Sequence, residues 1–141
     1  MSSVGPAVRN AHEEPPPRWV TIVPGVMARL LIEGRGTAMM LYRIEPGTRL
    51  QLHRHPFPEL GVVLAGEGRV TMPDGERVVR VGDSYYIPPN SEHGWAMPTQ
   101  GEPVVLVDVS SELGALDEEG SRDAAIELAR AAARRYAPEF R

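Results

Sequence analysis

His53 and His55 stand one residue apart, Glu59 follows four positions later, and His93 is the other histidine of the chain's core. Imidazole nitrogens and carboxylate oxygens are donors that suit first-row divalent metals. On an extended strand, side chains at i and i+2 share a face. His53 and His55 are therefore expected to present two imidazoles side by side. Pro56 and Pro58 end that strand, because proline donates nothing to a ladder. The chain then turns and re-enters a strand at Glu59, where a carboxylate can swing back to the same point. The chemistry predicted for this stretch is metal binding, with a further ligand still to be supplied. His12, in a proline-rich segment, is read as a solvated histidine without a role.

The elements around this stretch read as short strands between turns. Strand-like runs fall at 19–23, 26–33, 37–44, 59–64, 69–72, 76–81, 84–87, 93–97 and 104–110. Between them stand Pro24-Gly25, Glu45-Pro46-Gly47, Pro73-Asp74-Gly75 and Pro88-Pro89-Asn90, and Asp-Gly between two such runs predicts a hairpin. Fourteen glycines and fourteen prolines suit a chain that turns this often. The pattern predicts an all-β sandwich or barrel. Only the C-terminal segment has helical period. Ser121 can cap a helix to about Tyr136, with Ile126, Ala129, Ala133 and Tyr136 as its apolar stripe. Packing on the outside of the barrel is the reading of that stripe, with a dimer contact as the alternative. The domain expectation is an N-terminal arm over 1–18, a barrel over 19–112 and a helical extension over 113–141.

Composition removes several function classes. The 141 residues fit one domain with one core. Cysteine is absent, which rules out disulfides, thiolate nucleophiles and thiolate metal sites. All fifteen basic residues are arginine, so no lysine Schiff base is available. A net charge of -4 without a basic stripe argues against nucleic acid as a partner. No apolar run reaches the ~18 residues of a membrane helix, and the polar N-terminus has no secretory signal pattern. The expectation is a cytoplasmic protein without a membrane partner.

The two histidine segments together resemble the cupin superfamily. The first cupin motif, G-x5-HxH-x3-E-x6-G, is matched at Gly47, His53, His55, Glu59 and Gly66. The second, G-x5-PxG-x2-H-x3-N, is matched at Gly82, Pro88 and His93, while Asn90 replaces its second glycine and Met97 its asparagine. Asn tolerates the left-handed conformation that a turn glycine takes, so the first replacement is mild. The resemblance implies an all-β, cupin-type jelly-roll β-barrel (a double-stranded β-helix), here with one C-terminal α-helix. It also implies one divalent first-row metal ion (Fe, Mn, Ni, Zn, Co or Cu) on His53, His55, Glu59 and His93, and a homodimer as the assembly.

Strand parity extends the site. If the histidines point inward, Gln51 should as well; Glu59 brings Gly61 and Val63 with it, and His93 brings Trp95 and Met97. Gln51, Val63, Trp95 and Tyr42 are the candidate contacts for a small organic ligand. Of Tyr85 and Tyr86, one can face inward but not both; Arg43 is read as facing out. Glu59 is the candidate catalytic residue, alternating between ligand and general base. The resemblance suggests a metal-dependent enzyme acting on an aromatic, enolic or carbonyl substrate, of dioxygenase type or of polyketide cyclase or isomerase type. The alternative is a non-catalytic ligand-binding or sensor module.

Overall fold

The buried and half-buried side chains of Val104–Ser110 alternate without interruption, the period of a strand lying across a core. The structure is a computed structural model that describes residues 6–10, 19–34, 37–56 and 58–110. Among these residues there are ten strands: β1 (Val20–Val23), β2 (Val26–Gly34), β3 (Thr37–Ile44), β4 (Arg49–His53), β5 (Glu59–Ala65), β6 (Gly68–Met72), β7 (Gly75–Val79), β8 (Ser84–Ile87), β9 (His93–Ala96) and β10 (Val104–Ser110). The expected helix over 121–136, and with it the whole of the expected C-terminal extension over 113–141, lies outside the described residues.

The strands form two antiparallel sheets. One has six strands in the order β1-β2-β3-β10-β5-β8, the other four in the order β4-β9-β6-β7. Their inner faces enclose a core that includes Val23, Val26, Ile44, Val63, Val70, Val79, Trp95, Met97, Val104 and Leu106. This is the face-to-face arrangement by which two half-apolar sheets remove their inner rows from water. Burial of each such Val, Leu or Ile stabilises by roughly 1.5–3 kcal/mol. The outer face of the larger sheet keeps Leu60 and Tyr86 more than half exposed, opposite one another on β5 and β8.

Turn chemistry places the strand ends. The expected hairpin forms, with Pro73 and Asp74 as a two-residue connection and Gly75, read as part of the turn, instead opening β7 opposite Met72. Asn90 is the one non-glycine among the described residues with positive φ, at 60°. Its N–H donates to the His55 carbonyl at 2.7 Å, so the turn before β9 is tied to the segment after β4. Asn90→Gly is expected to leave stability nearly unchanged. Asn90→Ala is expected to cost about 1 kcal/mol, the penalty of a Cβ in the left-handed region, as read by chemical denaturation. An alanine variant as stable as the parent would remove this account of the turn.

Candidate metal centre

His53 closes β4, His93 opens β9, and the two are partners across the β4–β9 ladder. Strand ends are where a backbone carbonyl is released from the ladder and can accept from a side chain. His53 Nδ1 lies 2.8 Å from the carbonyl of Gln51, and His93 Nδ1 lies 2.8 Å from that of Ser91. A carbonyl only accepts, so each Nδ1 carries the hydrogen and each Nε2 keeps its lone pair. An outer hydrogen bond of this kind fixes the tautomer and aim of a metal-binding imidazole.

His55 completes the group, though not as a strand neighbour of His53. The expectation that the pair shares one strand face fails, because β4 stops at His53 and His55 lies in the connection toward the other sheet. The three rings still converge, with centroids 4.5 Å apart for His53–His93, 4.8 Å for His55–His93 and 5.7 Å for His53–His55. One ring nitrogen from each lies within 4.8 Å of the other two. Three imidazoles, two of them held as Nε2 donors, fit a first-row divalent ion.

Glu59 opens β5 in the opposite sheet, and its Oε1 lies 2.8 Å from His55 Nε2, its Oε2 4.0 Å from His93 Nε2. Burial works against its ionisation, but the hydrogen bond to His55 and the charges of all three imidazoles outweigh that and hold its carboxyl below the usual value. His93 is pulled the other way. Burial favours its neutral ring and lowers its pKa, against the Glu59 charge and the Ser91 carbonyl.

The remaining predicted contacts divide. Val63 and Trp95 are buried in the core, and Tyr42 packs half-buried against it, on the interior row of β3. Gln51 is a correction. The pairing runs Leu50↔Trp95 and then His53↔His93, so β4 spends three residues where β9 spends two. That bulge breaks the period-two parity from which Gln51 was expected to face inward. Gln51 is exposed, and its part in the site is its carbonyl on His53. Of the tyrosine pair, Tyr85 turns inward and Tyr86 is exposed. Arg43 faces out and pairs with Glu45 at 2.9 Å.

Asp108 is a residue the sequence reading passed over. It lies mid-strand in β10, buried to 7 % exposure, in the same inward row as Val104 and Leu106. Its Oδ2 accepts the Tyr85 hydroxyl at 2.8 Å. Tyr85 lies over Gly61, where a Cβ would collide with the ring, and packs edge-on against Trp95 with centroids 5.4 Å apart. Burial, then the Glu59 charge, pushes the Asp108 carboxyl well above the ordinary range, with the Tyr85 hydrogen bond opposing. Burial and the same two carboxylates also raise Tyr85 and Tyr42. A lone acid at an inward position of an otherwise apolar strand was the available signal, since acids are seldom fully buried without a partner.

Two β-sheets stacked around a cluster of three histidines and a carboxylate define a small barrel protein with a prospective metal centre. Residues 40–110 match the family model described as cupin domain, about half of the chain, and the chain belongs to that family. Over 84 residues it is 33% identical to the dimethylsulfoniopropionate lyase DddW of Ruegeria pomeroyi, covering 60% of this chain and 53% of that protein. Over 96 residues it is 31% identical to the H2HPP isomerase of Bacillus subtilis, covering 67% of this chain and 40% of that one. The matches thus span about half or less of the length of these two relatives. Among solved structures, an RmlC-like cupin from Shewanella frigidimarina superposes with a TM-score of 0.63 at 22% identity, over 74% of this chain and 93% of its own. At that identity the likeness is one of fold.

The raised Asp108 pKa has a consequence for stability. The folded protein holds this proton more tightly than the unfolded chain, so stability falls as pH rises past the unfolded value near 4. Asp108→Asn keeps an acceptor for Tyr85 and removes the buried charge. In chelator-treated protein it is expected to raise the melting temperature at about pH 8 and to change it far less near pH 4.5. Calorimetric melts at both pH values check this; a variant less stable than the parent at the higher pH contradicts it.

Proposed function

We propose that this protein is a metal-dependent enzyme that moves a proton on a small carbonyl or enol substrate, in an elimination, isomerisation or cyclisation. The observation that carries the reading is the pair of 2.8 Å Nδ1 contacts to backbone carbonyls, which leaves Nε2 of His53 and His93 as lone-pair donors beside His55. The names of the two relatives, a lyase and an isomerase, support the same reaction class.

His53, His55 and His93 would hold the ion, with Glu59 as the fourth donor. His55 Nε2 and Glu59 Oε1, 2.8 Å apart, would both be offered to the ion. When bound, a divalent ion supplies Lewis-acid polarisation of a substrate oxygen. Glu59 takes the proton from the carbon next to the carbonyl at its free oxygen. The C–H electron pair moves into a new C=C bond and the carbonyl pair onto oxygen. In an isomerisation the proton returns at the other carbon; in an elimination a β-substituent departs with its bonding pair as the carbonyl re-forms. Val63 and Trp95 exclude water from this space, and Tyr42 borders it beside Asp108 and Glu59.

Protein purified without a metal-affinity tag is expected to carry about one first-row metal per chain by elemental analysis. His93→Ala is expected to lose more than the roughly 10–100-fold in affinity that removing an outer hydrogen bond alone would take. Full occupancy in a variant with all three histidines replaced by alanine overturns the site. Catalysis is read by proton NMR in D2O, as metal-dependent deuterium exchange at the carbon next to the carbonyl across a panel of ketones and keto acids. Binding without exchange or turnover on a loaded protein would return the non-catalytic module. The expected homodimer has its support in Leu60, Leu64 and Tyr86, all exposed on the larger sheet. Light scattering at high micromolar concentration checks it, and a monomeric mass removes it.

A further inference from the structure

A cavity of about 390 Å³ runs along the seam between β7 and β8, the edge strands of the two sheets. Val70, Met72, Val79, Tyr85 and Ile87 give it apolar walls, and of the three histidines and Glu59 it reaches His93 alone. Its volume suits a small molecule. A larger concavity, of about 1040 Å³, lies on the outer side of the four-stranded sheet and includes none of the three histidines.

Arg77 supplies the seam cavity with its one arginine among the lining residues. Its facing follows from register. Arg77 is directly opposite Val70 on β6, and residues opposite in an antiparallel pair share a face. Val70 is a core residue, and so is Val79, two positions along from Arg77 on β7. Arg77 therefore stands in the same row as Val70 and Val79 on an edge strand but, unlike them, is exposed, at the open side of the cavity. The arginines at 49, 69 and 80 line the outer concavity instead.

The acids near the cavity are committed elsewhere. Glu92 pairs with Arg54 at 2.9 Å, and Asp83 Oδ2 accepts the Arg80 backbone N–H at 2.8 Å. Arg77 has no ion-pair or hydrogen-bond partner among the described residues. A guanidinium in an apolar-walled cleft is a planar fork that matches a carboxylate through two parallel hydrogen bonds.

We infer that this cavity binds a short organic carboxylic acid, with its carboxylate on Arg77 and its reacting end toward His93. The inference rests on the metal-centred reading above and adds the substrate class. The ladders Arg77↔Val70 and Val70↔Trp95 put Arg77 two strands away from β9, and His93 lies two residues along β9 from Trp95. Strand spacings of about 4.8 Å and rises of about 3.3 Å then separate the two Cα atoms by about 12 Å. His93 is buried at one end of that gap and Arg77 is exposed at the other. The acid that fits is a short one, whose carbonyl or leaving group stands a few atoms from the carboxylate.

A charge on an edge strand also guards against edge-to-edge pairing. That role asks for no particular ligand, and the test separates the two. Pyruvate, phenylpyruvate and 3-hydroxypropionate are titrated calorimetrically, each against its primary amide, into manganese-loaded and into chelator-treated protein. The acids are expected to bind about tenfold or more tightly than the amides, the gain of a charge-assisted pair. Arg77→Gln is expected to erase that preference in both preparations and to leave the amides unchanged. Arg69→Gln, on the outer side of β6, is expected to change neither. An acid preference that survives Arg77→Gln, or no binding by any acid of the panel, overturns the inference. Metal content measured on the same samples keeps the two readings apart. One ion per chain with an unaffected acid preference defeats Arg77 alone, whereas failure to load defeats the metal centre.

Discussion

The hydrogen bonds from His53 Nδ1 to Gln51 and from His93 Nδ1 to Ser91 are the constraint on which the rest of the site depends. Each carbonyl lies two residues before its own histidine. That short reach needs a carbonyl left free by the ladder, as on an edge strand or at a strand's entry. β4 meets the condition as an edge strand with a bulge between Leu50 and His53. β9 meets it with a turn, in which Asn90 adopts positive φ and Ser91 precedes the first strand residue. Two different backbone devices give the same imidazole tautomer, at two positions paired across one ladder.

Donor types divide between the sheets. β4 and β9 of the four-stranded sheet carry His53 and His93, while β5 and β10 of the six-stranded sheet carry Glu59 and Asp108. The two carboxylates face the same interior but not the same surroundings. Glu59 meets three imidazoles and is held ionised, whereas Asp108 meets a tyrosine hydroxyl and is pushed toward its neutral form. Pairs of titratable groups driven apart in this way are a mark of sites that handle protons. A valine at 108 would continue the inward row begun by Val104 and Leu106. The row is interrupted by an acid where Tyr85 can reach it.

Strand existence was legible because glycine and proline punctuate this chain so often, and the runs at 37–44, 84–87 and 104–110 end where the sequence places them. The histidine cluster was legible from spacing and motif together. Gln51 was not, because one bulged residue inverts every parity beyond it, and Leu50-Gln51-Leu52 carries no glycine or proline to mark the place. Asp108 was hidden by its context. In an apolar strand one polar residue reads as an outward position, until the register shows Val104 and Leu106 on the same side. The facing of Arg77 needed the Val70 pairing, since β7 is too polar to display a hydrophobic period of its own.

A barrel built from two sheets must either close its seams or expose edge backbone. Here β7 and β8 end the two sheets, joined by the turn around Gly82. The turn is anchored by two hydrogen bonds between Val63 and the 82–83 backbone: Gly82 N–H donates to the Val63 carbonyl at 2.9 Å, and Val63 N–H to Asp83 at 3.0 Å. Below that anchor the strands belong to different sheets, and the cavity opens between them toward His93. Of the three histidines, the cavity at this seam reaches His93. Arg77 is exposed at this seam, where its guanidinium would be met by a carboxylate entering the cavity. One geometric feature, two edges that do not pair, thus opens a cavity beside His93 and gives Arg77 its place.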